Sequence, residues 1–545
     1  MNKMNKFKLS AVVLLLGFGM TSMANAEQQF SVNSFQLLGD IQGLTDNEQI
    51  SLAEILAHYQ GHQTLTSLKK AQKALQAKLD TFNKGKYEVV LPEQRVKNGN
   101  VLFQLTYNTP VTSQVFYKGS EGYDEKNIAQ SLPSLKQGKY FEDGRQWFDR
   151  REFAMTKENP LKITRMHYEL ASQNKASNLT VSGFSPYGKT RNFISVDNYG
   201  LREFNYARIT LGHMNANLTG NDDVLTINAL TNFKAPSKSS ALGIGYSRPF
   251  YDNHQIINIQ AGVSRLDSSD TDGLASVINR KLSRGKTAFV GLNWSYFLPQ
   301  FDWGIEDQFK LNAGYSYRYY DQKSGINNLS NTSKHFSLGG INLGISGEVK
   351  LNAASTVSVE FTDYYYAYNL PGSKHSRRLG ENYHSSYNLL VSRLGYNQDF
   401  ADGWNFNSQL SGQYSRQDLN SLDHFVVSGI YGVRGFKYSG VNAERGLVWR
   451  NELTMPKYTQ YHISPYAFYD LGQYRYNKEN AKIYDGNTHT VSSAGLGVKA
   501  ELVKNLNMDF FVARRLVNSY KDSLNGNKAF ESDKTTFWGK VTYSF

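Results

Sequence analysis

From residue 191 to residue 545 apolar and polar residues alternate with a period of two, in one short segment after another. That pattern predicts strands with one apolar and one polar face. Seventeen segments can be marked: 191–198, 204–212, 223–232, 239–247, 255–265, 274–283, 286–298, 307–320, 335–350, 355–367, 384–399, 404–417, 445–455, 461–475, 490–503, 506–517 and 535–545. The last is the plainest. Phe537, Gly539, Val541, Tyr543 and Phe545 share one face, and Trp538, Lys540, Thr542 and Ser544 share the other. So many strands of this kind suit a transmembrane barrel, apolar outside and polar within, rather than the edge of a soluble sandwich. A barrel whose preceding domains and last strand lie on the same side of the membrane needs an even number. One of the seventeen is therefore expected to be a false split.

The period changes ahead of residue 190. Phe30, Val32, Phe35 and Leu37 begin as a strand, and Thr45 with Glu48 forms a capping-box pattern that opens a helix to about Tyr59. Leu68, Ala71, Leu75, Leu79 and Phe82 fall on one face of a second helix that ends at Gly85. Strands are predicted over 87–91 and 101–107, with an Asn98-Gly99 turn between them. The order β-α-α-β-β is repeated by a strand at 114–118, helices at 123–132 and 142–155, and strands at 161–168 and 178–183. The domains follow as 1–26, 27–108, 109–184 and 185–545, the last with an inward-folding loop near 418–444.

Residues 1–26 read as a secretory signal peptide: lysines, then the apolar run from Ala11 to Met20, then Ala24-Asn25-Ala26. Beyond them no apolar run is long enough for a membrane helix, and the mean hydropathy is −0.51. Tyr (36), Phe (31) and Gly (45) are nonetheless abundant, as a barrel with lipid-facing aromatics requires. The absence of cysteine excludes a disulfide framework, a thiolate metal site and a lipoprotein anchor. The net charge is +13, three units of which come from Lys3, Lys6 and Lys8 of the leader. It reads as a basic periplasmic and luminal surface; no compact basic helix marks a nucleic-acid partner.

Three patterns touch on chemistry. Gly183 to Thr190 satisfies the phosphate-loop spacing, but Pro186 lies inside it and a strand pattern follows where a helix is needed. His58 and His62 are four apart near a helix end, with no third ligand beside them, and read as a surface pair. Neither G-x-S-x-G nor H-E-x-x-H occurs, so no enzyme, metal or cofactor is implied. The third pattern is Ile430-Tyr431-Gly432-Val433-Arg434-Gly435-Phe436, a permanent cation set between glycines inside the barrel region. Asp470, in Phe468-Tyr469-Asp470-Leu471-Gly472 at a strand position, can accept both prongs of the Arg434 guanidinium if the loop folds into the lumen.

Together these motifs resemble the two-partner secretion transporters, the TpsB branch of the superfamily that joins polypeptide-transport-associated (POTRA) domains to a barrel. Val433, Arg434, Gly435 and Phe436 match that family's loop motif, and Phe468, Asp470 and Gly472 its barrel-wall motif. Val196 to Gly200, Tyr246 to Pro249 and Arg280 to Arg284 are similar to its strand motifs, and the 85–99 passage to its first POTRA domain. Two departures are visible. Only Glu27 to Gln29 precede the first strand, so the family's plug helix is expected to be missing, and Ser428-Gly429 stands where Gly-Gly is usual. The resemblance implies about 16 strands, two POTRA domains in the periplasm and a barrel in the Gram-negative outer membrane. It implies export, without ATP, of a large β-solenoid exoprotein (adhesin, haemolysin or contact-dependent toxin) bound through the POTRA domains. Phe545 would then serve as the insertion signal read by the barrel-assembly machinery, with lipid as the surrounding partner. A barrel-assembly factor and a passive porin are the alternative readings.

Overall fold

The computed structural model describes residues 30–545 apart from 40–43, 83–86, 93, 95, 97, 108–112, 136–148, 171–176, 201–205, 271–280, 302–305, 327–331, 370–385, 420–422, 437–440, 459–460, 485 and 519–533. The leader, Glu27 to Gln29 with the expectation about the plug helix, Gly85, Arg280 and the first part of the 142–155 helix thus lie outside the described residues. Two compact units result: residues 1–116 with 136–147 and 167–180, and residues 117–135 with 148–166 and 181–545.

In the first unit, strand Ser34–Gly39 runs parallel to Asn100–Tyr107, which pairs antiparallel with Tyr87–Val90. Helix Asp46–Ala57 starts where Glu48 reaches back to the Thr45 N–H at 2.7 Å. Helix Leu65–Thr81 buries Leu68, Ala71, Leu75 and Leu79, the face its spacing predicts. Gln72 and Gln76 of this helix bond both backbone groups of Val89, at 2.8 and 2.9 Å, which pins the helix to the sheet. Phe103, Leu105, Val101 and Leu52 fill the core. A short strand, Gly61–Gln63, pairs with Phe30–Val32 and has no alternating pattern to announce it.

The second unit holds a closed barrel of 16 antiparallel strands. They are β1 (Thr190–Asp197), β2 (Arg208–Asn215), β3 (Val224–Asn232), β4 (Ser239–Phe250), β5 (Gln255–Asp270), β6 (Lys281–Phe297), β7 (Glu306–Ile326) and β8 (Thr332–Asn352). Then come β9 (Ser355–Asn369), β10 (Ser386–Asp399), β11 (Asn405–Tyr414), β12 (Arg445–Thr454), β13 (Ser464–Arg475), β14 (His489–Val503), β15 (Leu506–Asn518) and β16 (Thr535–Ser544). Strand β16 closes on β1, with Lys540 opposite Asp197 and Ser544 opposite Phe193. The period-two pattern sorts the faces: Leu343, Leu496 and Phe537 stand exposed on the outside, while Asp470, Ser493 and Trp538 are buried within. An apolar outer band and a polar interior are what lipid outside and water inside select.

The false split lies between 274–283, of which 274–280 fall outside the described residues, and 286–298. Residues 281–297 form one strand, β6, paired without interruption to β5 and β7. About 9–11 residues suffice to cross a bilayer, whereas β6 has 17 and β7 and β8 have 21 each. Outside the lipid nothing enforces an apolar face, so Arg284-Gly285-Lys286 reads as a break in sequence while the ladder continues through it. The phosphate-loop match falls on a turn between strands Ser177–Phe184 and β1, with a strand where the helix would stand. His58 and His62 make separate bonds, Nδ1 of His58 with the Glu54 carbonyl (2.8 Å) and Nδ1 of His62 with Oγ of its cross-strand partner Ser31 (3.4 Å).

Candidate functional site

Between β11 and β12, the described residues 415–419, 423–436 and 441–444 fold into the barrel. Phe425–Val426 pairs antiparallel with Asn442–Ala443, making the loop a hairpin-like finger. Its tip is a tight turn: Gly432 N–H donates to the Gly429 carbonyl (3.1 Å), and Val433 N–H to the Val427 carbonyl (2.9 Å). Gly429 sits at φ +102°, a conformation that side chains disfavour. Ser428, where the resemblance leads one to expect glycine, uses its hydroxyl: Oγ accepts from the buried Val441 N–H at 2.7 Å. Ser428→Ala should therefore leave a buried donor unpaired and cost about 1–3 kcal/mol. The check is the temperature at which the fast-migrating folded barrel converts to the unfolded band on a denaturing gel. An unchanged temperature would remove this role.

The turn delivers Arg434 to the wall. Strand β13 alternates so that Tyr466, Phe468, Asp470, Gly472 and Tyr474 face inward. Arg434 Nε donates to Asp470 Oδ2 and Nη2 to Asp470 Oδ1, both at 2.9 Å, a two-pronged fork. The Arg434 backbone N–H donates to the same Oδ2 at 3.0 Å. The guanidinium carbon lies 3.7 Å from the centre of the Phe468 ring, over its electron-rich face. Arg434 is 3% exposed and Asp470 0%, so both charges are held out of water. A pair that dry is retained only with its hydrogen bonds satisfied, and it costs several kcal/mol to break from one side.

Neighbouring residues seat the loop. Val433 packs with Val427, Val448 and Val491 in a buried apolar cluster that also holds Phe436. The Gly435 N–H donates to Ser493 Oγ at 3.0 Å. A Cβ on Gly472 would lie 2.8 Å from Val427 and 3.0 Å from Val433, so glycine there gives the loop room to lie against the wall. The residues singled out in sequence, Val433, Arg434, Gly435, Phe436, Phe468, Asp470 and Gly472, thus stand together. Phe545 stands apart. It exchanges backbone bonds with Asn192 (2.8 and 2.9 Å), and its ring stacks on Tyr543 at 5.8 Å.

Several contributors were not singled out. Arg434 Nη1 donates to Glu452 Oε2 at 2.7 Å, and Glu452 in turn accepts from Lys499 at 2.5 Å. The alternation of β12 puts Glu452 on the luminal face with Val448 and Arg450, a signal that could have found it. Trp538 Nε1 donates to the Arg434 carbonyl at 2.9 Å, a contact to backbone that no residue pattern announces. Higher in the loop, Asp423 accepts from Arg318 of β7 (2.8 Å) and Tyr387 of β10 (2.7 Å). Glu444, fully buried, accepts from Asn480 Nδ2 at 2.6 Å and from the Asn477 N–H at 3.2 Å, tying the loop to helix Lys478–Tyr484 and the residue before it. The arrangement is a mechanical clamp: one finger held at its tip by a charged fork, and along its length by contacts to strands on both sides of the lumen.

Residues 176–500 match the sequence profile of the haemolysin secretion/activation protein family ShlB/FhaC/HecB. The heme/hemopexin transporter protein HuxB of Haemophilus influenzae is 22% identical over 367 residues, a match that covers 65% of this chain and 60% of that protein. Among solved structures, CdiB from Escherichia coli superposes with a TM-score of 0.65 at 16% identity, covering 96% of this chain and 92% of that one. CdiB from Acinetobacter baumannii gives 0.60 at 15%, with 95% and 90% covered. At such identities the two structures establish a likeness of fold.

Proposed function

The chain belongs to the haemolysin secretion/activation family ShlB/FhaC/HecB, and from that premise we propose that it is the export pore for a large secreted partner protein. It is an outer-membrane protein of a Gram-negative bacterium, built on a closed barrel of 16 strands. The observation that carries the proposal is the clamp: a finger seated inside the barrel by the buried Arg434–Asp470 fork. A lumen filled by a releasable element suits a pore that opens for one occupant and is otherwise shut.

The sheets that precede the barrel would receive the partner. In the first, the outer strands are Ser34–Gly39 and Tyr87–Val90, and Leu38 on one of them is 53% exposed. An extended chain can add to such an edge through backbone bonds, with side-chain pockets supplying preference. Residues 27–108 and 109–184 would act in this way as POTRA domains in the periplasm. The partner would enter unfolded and thread past the loop, and its folding outside would drive export where no ATP is present. Deleting the chain is expected to remove one or more very large proteins from the culture medium while leaving the remaining secreted proteins unchanged. Comparison of the two sets of secreted proteins by mass spectrometry makes the test, and identical sets would end the proposal.

A further inference from the structure

A second buried charge network lies at the opposite end of the barrel from the loop's attachment. Lys162 directs its ammonium to Asp222 Oδ2 (2.6 Å), Ser131 Oγ (2.6 Å) and Asn127 Oδ1 (2.9 Å), which uses all three of its protons. Asp222, in the turn between β2 and β3, also accepts from Tyr251 Oη (2.7 Å), Ser131 Oγ (2.8 Å) and Asn127 Nδ2 (3.0 Å). The side chains of Lys162 and Asp222 are both 0% exposed. Burial draws the Lys162 pKa below its ordinary value, and the adjacent Asp222 carboxylate opposes that shift. Around the pair, Asn159 Nδ2 donates to the Ala216 carbonyl (2.6 Å) and Asn217 Nδ2 to the Gly122 carbonyl (2.7 Å).

The same segment is held at two further turns. At the β4–β5 turn, Met155 packs with Tyr251, Ile256 and Phe297, and His254 Nε2 lies 3.1 Å from Asp149 Oδ2. At the β6–β7 turn, Arg150 donates to Gln300 Oε1 (2.8 Å), and Lys310, at the start of β7, to Glu158 (2.7 Å). Contacts at two points would leave an axis of rotation. Contacts at three turns spaced around a curved rim leave none. The buried pair adds uniqueness, because any other docking geometry strands an ammonium or a carboxylate away from water without a partner.

We propose that residues 117–135 and 149–166 are a fixed part of the barrel's entrance, locked in one orientation by Lys162 and Asp222, and are not a module that swings during export. Lys162 and Asp222 are then positioning residues, and the incoming chain meets a preformed mouth. The proposal rests on the export reading only for that last consequence.

The chain has no cysteine, so labels can be placed without altering the background. Spin labels on Lys126→Cys and Asn253→Cys, both exposed positions on the two sides of the dock, report its geometry by double electron–electron resonance on the purified full-length chain in lipid. One narrow distance is expected; two populations or a broad distribution overturns the proposal. In the same labelled background, Lys162→Met should lose the single narrow peak, and adding Asp222→Asn should restore it, since the neutral amide leaves no charge unpaired and keeps an oxygen to accept from Tyr251 and Ser131. A narrow peak in Lys162→Met alone removes the lock from these two residues. If Lys162→Met does not fold, the distance in the otherwise unchanged chain still decides. Neither measurement uses secretion. A narrow distance together with unchanged secretion on deletion would sink the export reading and leave the fixed entrance standing.

Discussion

Arg434→Ala is expected to lower export of the partner protein by about tenfold or more and to expose the loop at 415–444 to proteinase K in barrels that remain folded. The reason is what the substitution leaves behind. Asp470 is 0% exposed and would lose the two-pronged fork at 2.9 Å, keeping the backbone N–H of residue 434 and the Coulombic attraction of Arg450 opposite it on β12. Breaking a buried pair from one side costs about 3–5 kcal/mol, and each 1.4 kcal/mol is a factor of ten in an equilibrium. A loop seated almost all the time would then spend a large fraction of its time detached. Asp470→Ala should do the same by taking away the guanidinium's two-pronged partner and leaving it Glu452 alone, and the double variant should be no worse than either single one. Such non-additivity is the signature of two residues acting as a unit. Glu452→Gln should be milder, because the Glu452 side chain is 19% exposed and shares its charge with Lys499. Wild-type export from Arg434→Ala, with a barrel that still migrates as folded, would remove the clamp from the mechanism.

How much of this was legible follows from the range over which each feature is determined. The barrel could be read because lipid and water impose a rule on every strand, residue by residue. In β16 the rule sets Phe537 outward and Trp538 inward, as alternation predicts. Where lipid ends, the rule ends too, and β6 was divided at Gly285. The helix Leu65–Thr81 could be read for the same reason, since its buried stripe has a fixed spacing. The Arg434–Asp470 fork spans 36 residues of chain, and spacing alone offers a luminal cation several carboxylates to choose among; resemblance to a family singled out Asp470. Trp538 lies 104 positions from Arg434 and meets only its carbonyl, so no side-chain pattern marks the contact. The Lys162–Asp222 pair is the most hidden. A lysine before a strand and an aspartate in a turn both look solvated until the turn is brought against the segment that covers it.

Gly435→Val is expected to unseat the loop as completely as loss of the charge pair, by a different route. A Cβ at residue 435 would lie 2.5 Å from Ser493 Cβ and 3.2 Å from the Arg515 backbone nitrogen. Ser493 of β14 lies opposite Arg515 of β15 beside a register shift, and the Arg515 N–H donates to the Lys534 carbonyl at 2.8 Å, so the wall is tied on both sides of the contact and the loop, held at fewer points, is expected to lift. Overpacking of this kind costs about 1–3 kcal/mol. Lifting also stretches the Gly435–Ser493 bond (3.0 Å) and the Trp538–Arg434 bond (2.9 Å), at about 1 kcal/mol each. Proteinase K cleavage within 415–444 and raised conductance in planar bilayers should report the change together. The requirement is for space, so the damage should be graded, with Gly435→Ala milder than Gly435→Val. Ser493→Gly should then recover part, and only part, of the protection in Gly435→Ala, because it removes the atom 2.5 Å from the added Cβ but also the Oγ that accepts the residue 435 N–H. Gly429 supplies the contrast: at φ +102° any side chain is strained whatever the space around it, and no neighbouring truncation should rescue Gly429→Ala. Equal damage from alanine and valine at 435, with no recovery on Ser493→Gly, would show that glycine is needed there for its backbone and not for the room it leaves.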